Sequence, residues 1–393
     1  MREAVIIGAC RTAIGDFNGG LKTVPARELG AIVVREAIRR AKLDPELVDE
    51  AILGCVLPHG IGQNPARQAV ISAKLPLKVE CLTVNKVCGS GLKAVMLAAH
   101  AVQTGDAEVV VAGGMENMNQ APYLLPKLRA GARMGNAEVK DGMVWDGLWD
   151  VNNNFHMGNT AELVATKFKV TREDMDRFAK ASYDKALAAQ KAGQFASEIV
   201  PVPVPQGKGE PKPFVLDEVP RETSLESLSA LRPAFKKDGG VVTAGNSSKI
   251  ADGAAAVVVT TPERAKAAGA EILARIVAQG AAAQEPLDVL VTPILSIPKV
   301  LKKAGLKVSD IDLHEVNEAF SVSTVAVMRT LGIPEERLNV HGGAVALGHP
   351  IGASGCRVLV TLLSALKDRK LKRGMASLCL GGGEAVSLIV ERV

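Results

Sequence analysis

Three segments from the first third of the chain recur, in the same order, in the last third. Leu43-Asp44-Pro45-Glu46-Leu47-Val48-Asp49-Glu50-Ala51-Ile52 corresponds to Leu306-Lys307-Val308-Ser309-Asp310-Ile311-Asp312-Leu313-His314-Glu315. Each follows a predicted helix and leads into a predicted strand. Val87-Cys88-Gly89-Ser90-Gly91 corresponds to Ile351-Gly352-Ala353-Ser354-Gly355, each opening an apolar helix. Val109-Val110-Val111-Ala112-Gly113-Gly114 corresponds to Ala376-Ser377-Leu378-Cys379-Leu380-Gly381-Gly382-Gly383. Any one of these could be a chance likeness between α/β segments. Three in one order point to an internal duplication, and a duplicated chain must build the same packed unit twice.

The unit reads as α/β. Strands are predicted at 5–9, 51–56, 81–84 and 108–112, alternating with helices at 25–41, 66–73 and 92–102. That alternation signals a mostly parallel sheet. Residues 117 to about 250 break the pattern: they are rich in Gly, Pro, Met and Asn and hold both tryptophans, Trp145 and Trp149. They include one amphipathic helix at 172–192. The expected organisation is an N-terminal half at 1–118, an inserted loop domain at 119–250 and a C-terminal half at 251–393, with the N-terminal half free to resume near the end of the insertion. Long insertions carry binding or assembly functions more often than packing.

Composition narrows the function. Of 393 residues, 47% are hydrophobic and 3% aromatic, so a large aliphatic core is available. The net charge of +5 is too mild for a nucleic-acid binder, and no basic run is interleaved with aromatics. It suits an anionic small molecule. Six scattered cysteines without a Cys-x-x-Cys pair imply free thiols rather than a disulfide framework or a zinc site. No signal sequence, long apolar span or peroxisomal address is evident, which leads to the expectation of a cytoplasmic protein. A Gly-Lys-Ser/Thr phosphate loop and a dinucleotide glycine pattern are both lacking.

The chemistry converges on four short segments. Cys88 sits where a predicted strand turns into a helix, and a thiol at a helix N-terminus is drawn towards the thiolate. That stretch alone supports a nucleophile and a buried structural cysteine equally. Beside it stand Asn317-Glu318-Ala319-Phe320, Gly348-His349-Pro350-Ile351-Gly352-Ala353-Ser354-Gly355 and Cys379-Leu380-Gly381-Gly382-Gly383. A cysteine with a histidine is a nucleophile–base arrangement. A second cysteine at a glycine turn supplies another acid/base, and exposed backbone N–H groups there can stabilise an oxyanion.

Together these segments resemble the thiolase family. Arg11-Thr12, Gln63-Asn64-Pro65-Ala66-Arg67-Gln68 and Gly114-Met115-Glu116-Asn117-Met118 extend the likeness along nearly the whole chain. The resemblance implies a duplicated αβαβα five-layer core with an inserted loop domain. It implies Cys88 as the nucleophile, His349 as its base, Cys379 as the acid/base for the α-carbon, and Asn317 as the holder of a water beside His349. The N–H groups of Cys88 and Gly381 would form an oxyanion site. Coenzyme A would be substrate and product, with no tightly bound cofactor or metal. Its contacts would come from Leu148, His156, Met157, Arg221, Ser227, Phe235, Ala244, Ser248, Ala319 and Phe320. For Leu148, Ser227 and Ala244 ordinary packing is an equal alternative. Acyl-CoA partners and a homo-oligomer built as a dimer of dimers are also implied.

The chain departs from the family pattern in places. Val289-Leu290-Val291-Thr292-Pro293 replaces the usual Met-Gly-x-Gly-Pro, and Lys249 stands where a small residue is common. Glu384 replaces a frequent Gln and is expected to raise the pKa of Cys379 by like-charge repulsion; His341 replaces Asn. The expected reaction is condensation of two acetyl-CoA and its reverse. The alternatives are a thiolase for longer 3-oxoacyl chains and a non-catalytic CoA- or lipid-binding member.

Overall fold

The computed structural model describes residues 2–207 and 209–393. The N-terminal half is built on β1 (Val5–Thr12), β2 (Glu50–Gly54), β3 (Glu80–Val84), β4 (Val109–Asn117) and β5 (Ala251–Thr260). The C-terminal half is built on β6 (Ala274–Ala283), β7 (Leu313–Val316), β8 (Arg373–Leu380) and β9 (Glu384–Glu391). They lie side by side in the order β7-β8-β9-β6-β1-β5-β4-β2-β3. The halves meet where Val5 and Ile6 of β1 pair with Arg275 and Ala274 of β6.

The duplication is visible strand by strand. β2 runs parallel to β4 as β7 runs parallel to β8. β5 then pairs antiparallel between β4 and β1, as β9 does between β8 and β6. β3 is an extra strand on the open edge of the N-terminal half. The sheet is therefore mixed, not mostly parallel as the alternation suggested. β9 returns from β8 through the short Gly381–Gly383 turn, and a turn that short can only make an antiparallel neighbour. β5 follows the insertion and pairs with β1 and β4 of the N-terminal half.

Helices α1 (Ala26–Arg40), α2 (Ser90–Thr104), α3 (Arg172–Lys191), α4 (Pro293–Ala304), α5 (Ser321–Leu331) and α6 (Ile351–Asp368) complete the layers. α2 and α6 pack between the two half-sheets, in one cluster with Ile6, Val110, Val257, Leu378 and Leu388. α6 is buried on nearly every side, which is why its sequence lacks a polar stripe. α1 covers the outer face of the N-terminal half, and α4 and α5 cover that of the C-terminal half. The central helices approach closely because of glycine: a Cβ on Gly355 would lie 2.3 Å from the backbone nitrogen of Leu92.

The insertion is tied to the core by ionic contacts. The buried Arg11 on β1 pairs with Glu198 at 2.6 Å and with both carboxylate oxygens of Asp217 at 2.7 and 2.9 Å. Breaking such a desolvated network by removing one partner costs several kcal/mol, roughly 3–5. α3 begins with the capping box of Thr171 and Asp174.

Candidate active site

Cys88 is presented by a strained turn. Val87, between β3 and α2, has φ 46°, a conformation that a β-branched residue adopts only when its surroundings enforce it. Here the Val87 N–H donates to Asn85 Oδ1 (3.0 Å), and the Ser90 hydroxyl donates to the Val87 carbonyl (2.6 Å) while accepting from Lys86 N–H (2.8 Å). A Cβ on Gly89 would sit 2.2 Å from a terminal methyl of Leu380, so any larger residue there has to displace that side chain.

The turn aims Cys88 into a cavity of about 390 Å³ that also reaches His349, Cys379 and Gly381. Burial pushes the Cys88 thiol up to about 11, and the N–H groups of Gly381 and of Cys88 itself pull the other way. Cys379, at the end of β8, is pushed up by burial and then by the neighbouring Cys88. Glu384 makes no such contribution, contrary to expectation: its carboxylate is taken up by Lys86 Nζ at 2.5 Å.

His349 precedes α6, with its N–H bonded to the Lys249 carbonyl at 2.9 Å. Its Nδ1 lies 2.6 Å from Ser354 Oγ, and the Ser354 hydroxyl donates to the Pro350 carbonyl at 2.9 Å. The hydroxyl proton is thereby used, so Nδ1 carries the imidazole proton and Nε2 carries the lone pair. Burial, then Arg357, pushes His349 down to about 3, so the ring is neutral at physiological pH. Asn317 follows β7 and places Nδ2 3.3 Å from His349 Nε2. It lies on the Nε2 side of the imidazole, just off the cavity wall, and its buried Oδ1 has no protein partner.

Of the residues expected to contact CoA, Leu148, Ala244, Ser248, Ala319 and Phe320 line the cavity. So do His156, Met157 and Phe235, the His156 ring stacking on Phe235 at 4.8 Å between centroids. Two expected residues do not reach the wall. Ser227 is engaged in a capping box with Ser224, and the Arg221 guanidinium lies over the Tyr183 ring. Val289 and Leu290, from the departing turn, do line it.

Sequence reasoning gave no role to Ser354 or Glu116, although both lie inside quoted motifs. The buried Glu116 carboxylate accepts from Val56 N–H (3.0 Å), Leu57 N–H (3.2 Å) and Gly352 N–H (2.8 Å). It thus pins the first turn of α6, just beyond His349, to the N-terminal half. Burial raises it to about 7, the three N–H donors opposing. All six cysteines are free, and no cluster of metal-ligating side chains occurs among the described residues.

A cysteine at a helix entrance, a second cysteine and a neutral, oriented histidine thus share one apolar cavity between duplicated half-sheets. Two family descriptions match the chain in succession: "Thiolase, N-terminal domain" over residues 4–263 and "Thiolase, C-terminal domain" over 270–392. The chain belongs to the thiolase family. It is 53% identical to an acetyl-CoA acetyltransferase of Pseudomonas aeruginosa and 53% identical to one of Cupriavidus necator, each over 100% of both chains. The crystal structure of the Bacillus anthracis acetyl-CoA acetyltransferase superposes with a TM-score of 0.97 at 42% identity, covering 100% of this chain and 99% of that one.

Proposed function

We propose that this chain is an acetyl-CoA C-acetyltransferase, condensing two acetyl-CoA to acetoacetyl-CoA and CoA and catalysing the reverse thiolysis. The observation that carries the reading is the meeting of Cys88, Cys379 and a neutral His349 at one mostly apolar cavity. In the first step His349 Nε2 accepts the Cys88 thiol proton as the sulfur adds to the thioester carbonyl. The tetrahedral oxyanion is met by the N–H groups of Cys88 and Gly381, and collapse expels CoA, which recovers the proton. In the second, Cys379 removes an α-proton from a second acetyl-CoA. The enolate oxygen is met beside His349 and Asn317, and the carbanion attacks the acetyl group on Cys88. The C–C bond forms, the C–S bond to Cys88 breaks, and the departing sulfur takes up the proton that the Cys379 thiolate had removed, which returns Cys379 to its starting state.

Coenzyme A is substrate and product in this reading. The stacked His156–Phe235 pair and Met157 wall the passage for its pantetheine, while Arg221 and Ser227 stand outside that passage. The longer-chain alternative rests on Val289 and Leu290, which border the cavity where the family turn differs. Comparing kcat/KM on acetoacetyl-CoA and 3-oxohexanoyl-CoA decides: a clear preference for the first supports the proposal, and equal or better use of the second removes it.

We also propose a cytoplasmic homo-oligomer, a dimer of dimers. Free thiols suit a reducing compartment, and no described helix is long and apolar enough to cross a membrane. Assembly would cover the open edge at β3, where Leu82 is 44% exposed, and the excursion at 121–141, where Tyr123 and Met134 are exposed. Light scattering on the purified chain tests this, and a monomer would contradict it.

A further inference from the structure

Lys249 is the one lysine or arginine among the described residues that line the cavity. Its carbonyl receives the N–H of His349, so the residue is anchored beside the reacting centre. Its ammonium reaches back to the Ala244 carbonyl and forms no ion pair with any described carboxylate. One carbonyl satisfies one of three ammonium donors. Asp16, the one carboxylate on the wall, holds the Phe17 N–H at 2.8 Å and helps Lys249 only at a distance. Burial, with Arg221 nearby, pushes Lys249 down to about 8. A half-buried cation beside apolar walls, with one carbonyl for its ammonium and a second cation nearby, is under-compensated, and an anionic oxygen entering the cavity relieves it.

We propose that Lys249 is a substrate-recognition residue that binds an anionic oxygen of the incoming acyl-CoA. The proposal rests on the acyl-CoA reading above and adds to it a charge-selective position within the cavity. The anion has two sources: a phosphate of CoA itself, or a carboxylate ending the acyl chain. The second would extend the substrate range to 3-oxoacyl-CoA thioesters of dicarboxylic acids. The Lys249 carbonyl bonds the His349 N–H, so its ammonium lies no more than a lysine side chain from the backbone beside His349. That reach suits a carboxylate at the end of a short acyl chain more directly than a CoA phosphate at the far end of the pantetheine.

The test measures kcat/KM of the wild type, Lys249→Met and Lys249→Arg on four thioesters. Acetoacetyl-CoA is set against acetoacetyl-pantetheine, which lacks phosphate, and 3-oxoadipyl-CoA against 3-oxohexanoyl-CoA, which lacks the terminal carboxylate. A phosphate contact predicts that Lys249→Met shrinks the first ratio about tenfold, a carboxylate contact that it shrinks the second by as much. In either case Lys249→Arg restores most of the ratio. A Met variant that moves neither ratio, or that slows all four substrates alike, overturns the proposal. A wild type inactive on every thioester would instead overturn the acyl-CoA reading itself.

Discussion

Ser354 Oγ lies 2.6 Å from His349 Nδ1 and gives its own proton to the Pro350 carbonyl, one turn back along α6. Ser354 thereby fixes which imidazole nitrogen is free to accept a proton. General-base catalysis contributes about 10²–10⁴ in rate when the base is correctly placed. Ser354→Ala is therefore expected to lower kcat by about tenfold to a hundredfold with KM little changed. Steady-state kinetics checks this; an unchanged kcat would show that packing alone orients the ring.

The resting pair is a neutral thiol and a neutral imidazole. Cys88 stands near 11 and His349 near 3, so between pH 6 and 9 neither group titrates and the thiolate fraction rises about tenfold per pH unit. The rate of Cys88 alkylation by iodoacetamide should climb across that whole range without a plateau. A plateau near pH 7 would reveal a preformed thiolate–imidazolium pair and contradict this assignment.

Glu116 holds three N–H groups from both halves of the fold. Glu116→Ala leaves those buried donors unpaired, at about 1–3 kcal/mol for each that finds no water. The expected loss of unfolding free energy is on the order of 3 kcal/mol, with Glu116→Gln milder because one acceptor oxygen remains. Urea denaturation measures it. A wild-type midpoint for the alanine variant would mean that water replaces the carboxylate without cost.

A Cβ on Gly158 would fall within 2.4 Å of the Phe235 ring. Gly158→Ala therefore displaces the ring that stacks on His156 and forms the cavity wall, whereas Cys88, His349 and Cys379 are left in place. KM for acetoacetyl-CoA is expected to rise roughly tenfold, about 1.4 kcal/mol of binding, with a smaller effect on kcat. The reverse pattern would place Phe235 outside the substrate passage.

Much of the architecture could be read from local signals. The glycine-bounded turn at Cys88, the Gly381–Gly383 turn and the repeated segments each carry their geometry within a few residues. What escaped was non-local. β5 joins the N-terminal half across the whole insertion, and nothing in Ala251–Thr260 says which half it will pair with. Arg221 lies in an irregular segment and Ser227 in the short helix Leu225–Ser229, and a match by position says nothing of where either side chain turns. Glu384 was expected to act on Cys379 because it is near in sequence, yet Lys86, nearly three hundred residues away, neutralises it. Ser354 matched a helix-opening pattern, and only the three-dimensional turn shows its hydroxyl facing Nδ1.

In the proposed reaction Cys88 carries the acyl group and Cys379 acts on the second substrate. Intact-protein mass after brief incubation with acetyl-CoA tests it on the wild type, Cys88→Ala and Cys379→Ala. The account predicts one acetyl group on the wild type, none on Cys88→Ala, and a persistent single acetyl group on Cys379→Ala, which cannot form the carbanion that removes it. An adduct that survives in Cys88→Ala would place the nucleophile elsewhere and contradict the account.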